Sequence, residues 1–70
     1  MTPSRDDILK AISTVTDSRR SHETWIIWYD RNPLEEANHS ETCGDKQWHS
    51  DCITGYDQVL GVLSGFLDIN

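Results

Sequence analysis

Residues 24–29 read TWIIWY, and this stretch decides the fold. All six side chains are β-branched or aromatic, the types most enriched in strands. In a strand, the alternating side chains would make both faces of a sheet apolar. The same stretch also fits a helix, because Trp25, Trp28 and Tyr29 have i, i+3, i+4 spacing. We interpret residues 24–29 as a strand and keep a helix over residues 22–31 as the alternative.

An amphipathic helix is predicted before this stretch. Residues 4–16 carry apolar side chains at helical spacing, and Ser4 with Asp7 forms a capping box at their start. Residues 17–21 are polar and are predicted to connect this helix to the strand.

After the stretch, the sequence predicts a helical turn at 32–37, a loop at 38–47 and a short second strand at 47–53. Apolar side chains then recur at helical spacing from Tyr56 to Leu67, so this last helix is expected to form the core. We therefore predict an α+β fold with an N-terminal helix, short antiparallel strands and a C-terminal helix. A small three-helix bundle is the alternative.

The length of the chain limits its stability. Its 70 residues make one small domain, residues 1–70. A chain of this size buries only about 60% of the surface that its unfolded form exposes. A metal, a disulfide or a partner subunit would supply the missing stability. The surplus of large apolar rings in residues 24–29 favours a partner chain or a homodimer.

The charge of the chain is uneven. The net charge is −6, and residues 36–70 carry one lysine against six carboxylates. Nucleic acid and anionic membranes repel such a segment, so we expect neither as a partner. A basic surface on another protein is the expected partner, although solubility alone would also explain the charge. The residues expected to contact the partner are two tryptophans and five acids: Trp25, Trp28, Glu35, Glu36, Glu41, Asp45 and Asp51.

Two histidines and both cysteines fall close together in the chain as His39, Cys43, His49 and Cys52, with the spacing H-x3-C-x5-H-x2-C. Four nitrogen and sulfur donors suit a tetrahedral zinc ion, and zinc binding would contribute folding energy to a weak core. The other two interpretations are unrelated reduced thiols and a disulfide between the two cysteines.

The sequence favours a binding protein over an enzyme. It contains no phosphate-binding, dinucleotide-binding or zinc-protease motif, and a chain this short has little room for a substrate pocket beside its core. It begins with Met, has no apolar leader and no apolar run of about 20 residues, so we expect a cytoplasmic protein. In size and charge it resembles small acidic phage inhibitors, antitoxins and immunity proteins. That resemblance implies an inhibitor or adaptor that occupies a basic surface of a larger protein, such as one that handles nucleic acid. A zinc-stabilised structural binding module is the alternative function.

Overall fold

In a computed structural model, which describes residues 3–69 and the side chains of residues 3–68, the chain forms three helices. They are α1 (Arg5–Arg31), α2 (Pro33–Cys43) and α3 (Lys46–Ile69). No strand occurs within the described residues. The predicted α+β fold is therefore wrong, and the structure fits the three-helix alternative.

The stretch at residues 24–29 belongs to the last turns of α1. Its helical spacing brings Trp25 within 5.6 Å of both Trp28 and Tyr29, measured between ring centroids. His49 of α3 also stacks on Trp25, with the two ring planes only 7° apart. A strand here would need a second strand to pair its backbone groups, whereas a helix pairs them internally. The aromatic contacts across α1 and α3 therefore outweigh the strand propensity of the stretch.

Helix α1 is longer than the sequence indicates. It begins at the predicted capping box, where the Ser4 hydroxyl accepts from the Asp7 amide at 3.1 Å and the Asp7 carboxylate accepts from the Ser4 amide at 3.4 Å. The polar residues 17–21 continue the helix, so the predicted connection is wrong. Arg19 within this segment donates to Asp57 of α3 at 2.6 Å, which gives the polar segment a helical partner.

Helix α2 extends well beyond the predicted turn at 32–37 and ends at Cys43, so the loop predicted for 38–47 is wrong. The chain reverses at Gly44, whose φ of 87° lies in the left-handed region. A Cβ at this position would also collide with the Trp48 ring. Only glycine therefore suits this junction.

Helix α3 begins at Lys46 and replaces the second strand predicted for residues 47–53. Two carboxylates cap its start: Glu36 accepts from the Lys46 amide and Asp45 accepts from the Trp48 amide, each at 2.7 Å. Amides in the first turn of a helix have no partner within the helix, and carboxylates also interact favourably with the positive end of its dipole. These two caps fix the helix boundary that the sequence pattern misses.

Helices α1 and α3 run antiparallel and form a helical hairpin. Three cross pairs show the direction, namely Arg19–Asp57, His22–His49 and Asp30–Lys46. Both helices meet through residues spaced alternately four and three apart, as in a coiled coil, and we call these residues the hairpin seam. All of these residues are buried or half-buried. On α1 they are Ile8, Ile12, Val15, Arg19, His22, Ile26 and Tyr29. On α3 they are His49, Ile53, Tyr56, Leu60, Leu63 and Leu67.

The hairpin is elongated and has a small core. Among the described residues, only Ile8, Tyr29 and His49 are buried. The molecule measures 48 × 19 × 15 Å and has a radius of gyration of 15.3 Å. A compact chain of this length has a radius of gyration of about 11 Å. The extended shape leaves large apolar side chains exposed along the whole hairpin.

Candidate functional site

A pair of histidines lies between α1 and α3. The Nδ1 atoms of His22 and His49 are 2.7 Å apart, so one of them donates a hydrogen bond and the other accepts it. The ring of His22 also lies near Trp48 and Tyr56, with centroids 5.5 and 5.6 Å away. His49, only 2% exposed, is stacked on Trp25. Aromatic rings therefore line the pair, in which His49 is buried and His22 is half-buried.

This environment favours the neutral form of His22. Burial, followed by the neighbouring His49, holds the pKa of His22 below its ordinary value. The Nε2 atom of His49 is buried and has no hydrogen-bond partner among the protein atoms described. Because His22 is held neutral where α1 meets α3, protonation of His22 works against the contact between these two helices.

The four proposed zinc donors do not form one cluster. His39 and Cys43 lie on α2, where His39 is 3.0 Å from a carboxylate oxygen of Glu35. His49 and Cys52 lie on α3, and His49 faces His22 instead. Over residues 3–69, no three His, Cys, Asp or Glu side chains are grouped in a way that could hold a metal, and both cysteines are free. Zinc binding by these four residues would therefore require a rearrangement that brings the two donors of α2 to the two donors of α3.

Zinc binding therefore stays a prediction that one measurement tests. If the four donors hold zinc, elemental analysis of protein purified without chelator will find about one zinc per chain, and Cys52→Ser will lower that content and the melting temperature. Thiol titration of the same sample provides the control. Two fully titratable thiols with less than about a tenth of an equivalent of zinc would exclude the site.

The tryptophans proposed to bind a partner lie near the α2 end of the hairpin. Trp25 is half-buried against His49, and Trp28 is 37% exposed. Together with Thr24 they line a shallow apolar groove. Trp48, which the sequence analysis does not select, is more exposed at 52%. It lines a second groove with residues 40–45, between α2 and α3.

The five proposed acids divide into two groups. Glu36 and Asp45 cap α3, so their first role is structural. Glu35 pairs with His39, and Asp51 accepts from the Gln47 side chain at 2.9 Å. Glu41 is exposed and lines the groove beside Trp48. Glu41 and Asp51 are therefore the acids best placed to meet another molecule.

Five exposed side chains lie where the three helices meet, at the α2 end of the hairpin, and we call this set the aromatic–acidic end. It comprises Trp28, Leu34, Glu41, Trp48 and Asp51, all of them exposed. Leu34 is the most exposed of its large apolar side chains, at 80%. Lys46, the one basic side chain in residues 36–70, is held 3.2 Å from a carboxylate oxygen of Asp30. The surface therefore combines apolar contact area with negative charge.

Comparison with known proteins gives no relative: no family profile matches the chain, and neither curated proteins nor solved structures show significant similarity to it. Over the described residues, none of the helices combines the length and apolarity that a membrane crossing needs. The functional argument therefore starts from the surface of the hairpin.

Proposed function

We propose that this protein is a small cytoplasmic interaction protein, an inhibitor or adaptor that occupies a basic surface of a larger protein. Its contact surface is the aromatic–acidic end. A basic surface of this kind is typical of proteins that handle nucleic acid. The observation that carries the proposal is the exposure of Trp48 beside Glu41 in the groove between α2 and α3.

The chemistry of this surface suits protein recognition. Exposed tryptophans are frequent hot spots of protein interfaces, because one rigid ring contributes a large contact area. Carboxylates at the rim attract a basic partner and raise the rate of encounter. A binding role is proposed over a catalytic one because His49 is only 2% exposed and is stacked on Trp25, which leaves little access for a substrate.

A charge-reversal experiment tests the proposal. Tagged protein is used to capture a partner from its native host at low salt, and the association rate is then measured by surface plasmon resonance across a salt series. Glu41→Lys/Asp51→Lys is expected to slow association by about tenfold at low salt, because encounter depends on charge complementarity. Exposed charge pairs contribute only about 0.2–1 kcal/mol each to affinity, so the effect is mainly kinetic.

Asp17→Lys/Asp68→Lys is the matched control, since it changes the net charge equally at exposed positions outside the aromatic–acidic end. If both double variants slow association equally, total charge and not this surface steers binding. Equal rates for all three proteins with no salt dependence would mean that the acidic side chains serve solubility alone.

A further inference from the structure

We propose that a second copy of this chain packs antiparallel against the outer side of α3. The contact is a stripe of four residues, Gly55, Val59, Val62 and Phe66, which we call the outer stripe. This inference concerns a surface other than the aromatic–acidic end and does not rest on the proposed function.

The outer stripe repeats the spacing of the hairpin seam on a neighbouring side of α3. Its positions are separated by four, three and four residues, which places them in one line along the helix. All four are exposed, and Val62 is 62% exposed. Gly55, Val59 and Val62 line a shallow groove together with Gln58 and Leu63. Helix α3 thus carries a second apolar seam of the kind that packs against another helix.

The surface area of the chain fits a dimer. The chain exposes 5177 Å². A compact monomer of 8.0 kDa exposes about 4,450 Å², so the excess is about 700 Å². A stable protein interface buries about 800 Å² on each partner. The surface that the elongated chain exposes beyond that of a compact monomer is therefore close in area to what one copy contributes to a dimer.

The order of residues along the stripe defines an antiparallel register. A twofold axis between residues 60 and 61 places Gly55 opposite Phe66 of the partner subunit and Val59 opposite the partner's Val62. Beyond the backbone of its own helix, a Cβ added at Gly55 would meet no atom of the described residues within 4 Å, so packing against them does not explain this glycine. In the dimer, Gly55 leaves room for the ring of Phe66 of the partner subunit.

Charge also selects the antiparallel arrangement. Residues 58–67 of α3 contain no charged side chain, so two copies meet there without repulsion. In this register the two copies of Asp51 lie about 28 Å apart along the helix axis, which exceeds the screening length of physiological salt. A parallel pair would instead place two acidic ends side by side. Because each chain carries a net charge of −6, added salt should strengthen this dimer.

Sedimentation velocity over the micromolar range tests the dimer. Wild type is expected to sediment at twice the 8.0 kDa mass of the chain. Val62→Glu is expected to raise the dissociation constant of the dimer by about a hundredfold or more, because the twofold contact would bury one new carboxylate from each chain. A wild type that is monomeric at every concentration would overturn the proposal, as would a Val62→Glu variant that still dimerises.

Glycine substitutions test the register. Gly55→Leu is expected to weaken the dimer at least about tenfold by clashing with Phe66 of the partner subunit, and Gly55→Leu/Phe66→Ala should restore association. Gly61→Leu is the matched control: it lies on another side of α3, and a Cβ there also meets no atom within 4 Å. Leucine favours a helix more than glycine does, so circular dichroism should show both variants folded. Equal dimerisation of the two glycine variants would overturn the register.

The two proposals respond oppositely to salt. Binding of a basic partner through the aromatic–acidic end weakens as salt is added, whereas dimerisation through the outer stripe strengthens. Val62→Glu should leave partner association unchanged, and Glu41→Lys/Asp51→Lys should leave the dimer intact. Each proposal can therefore fail without the other.

Discussion

Lowering the pH from about 7.5 to about 5 is expected to reduce the free energy of unfolding, because His22 becomes protonated. This range lies above the ordinary pKa values of carboxylates. The pKa of His22 lies below its ordinary value because of burial and then because of His49. As the pH falls, His22 therefore takes up a proton at a higher pH in the unfolded chain than in the folded chain. The stability that neutral His22 contributes is fully present above the ordinary histidine pKa of 6.5. It falls as the pH drops through that value towards the lower pKa of the folded state.

The geometry of the pair limits the number of protons that it can hold. A 2.7 Å contact between two Nδ1 atoms needs one N–H and one lone pair, so two fully protonated rings would direct two donors at each other. The neighbouring rings of Trp25, Trp48 and Tyr56 offer no negative charge to balance a second proton. Arg19, one turn before His22, adds positive charge, although Glu23 and Asp57 both pair with it.

Thermal unfolding followed by circular dichroism at a series of pH values measures this effect. One proton changes the unfolding free energy by at most about 1.4 kcal/mol per pH unit, and each kcal/mol is worth about 4–8 °C in Tm for a chain of this size. His22→Leu/His49→Leu is expected to flatten the profile above about pH 5, because replacing both partners by apolar groups removes the titration without leaving a polar atom unpaired.

His39→Gln is the control, since the His39 side chain lies on α2, away from the His22–His49 pair, where it contacts Glu35 and the Trp28 ring. This variant should retain the acid transition of the wild type. An unchanged transition in the double leucine variant, or a wild type with a flat profile over this range, would show that the pair does not control stability.

The sequence allows the ends of the fold to be predicted better than its centre. The capping box at Ser4 and the apolar period of the last helix are local signals, and the structure contains both. Residues 24–29 fit two periods at once, so local propensity cannot decide between them. The decision comes from His49, which lies far away in sequence and stacks on Trp25. Contacts of that kind are not visible in a six-residue window.

The His22–His49 pair also depends on a contact between residues far apart in sequence, so the local pattern did not indicate it. Adjacent donors in the sequence suggested that His49 binds a metal with Cys52, yet His49 points across the hairpin to His22. A signal for this pair does exist. On α1, the residues from Ile8 to Tyr29 that are spaced alternately four and three apart include His22. On α3, the same spacing from Tyr56 to Leu67 extends back to His49. Following both repeats over their full length would have placed the two histidines in the seam.

The roles of the acidic residues proposed to bind a partner also depend on the three-dimensional arrangement. Composition identified a negatively charged half of the chain, but it could not separate carboxylates that cap a helix from those that face solvent. Glu36 reaches the start of α3 from another helix, which only the three-dimensional arrangement shows. Reversal of Glu36 or Asp45 would therefore disturb the fold and the surface together. For that reason the test of the aromatic–acidic end uses Glu41 and Asp51.

Tyr29→Ala is expected to cause the largest loss of stability of any single substitution in the seam. Tyr29 is 1% exposed, and its ring lies against Trp25, Trp28 and His49. Its hydroxyl donates to the Gly44 carbonyl at 2.8 Å and so ties α1 to the reversal between α2 and α3. Burial, followed by the nearby Cys43, Glu36 and Asp45, raises the pKa of Tyr29, so the hydroxyl keeps its proton at neutral pH. One truncation thus removes both a core ring and a tertiary hydrogen bond.

Because the described residues include only three buried side chains, the remaining core cannot compensate for the loss of one of them. Tyr29→Ala should lower Tm by about 20 °C or more, or leave the chain unfolded at room temperature. Tyr29→Phe keeps the ring and removes only the hydrogen bond, so its Tm should fall by just a few degrees. Ile27→Ala is a matched control on the same helix, since Ile27 is 49% exposed and should tolerate truncation. If Tyr29→Ala and Ile27→Ala melt at similar temperatures, Tyr29 does not hold the hairpin together. The other buried and half-buried residues between α1 and α3 would then carry the stability of the hairpin.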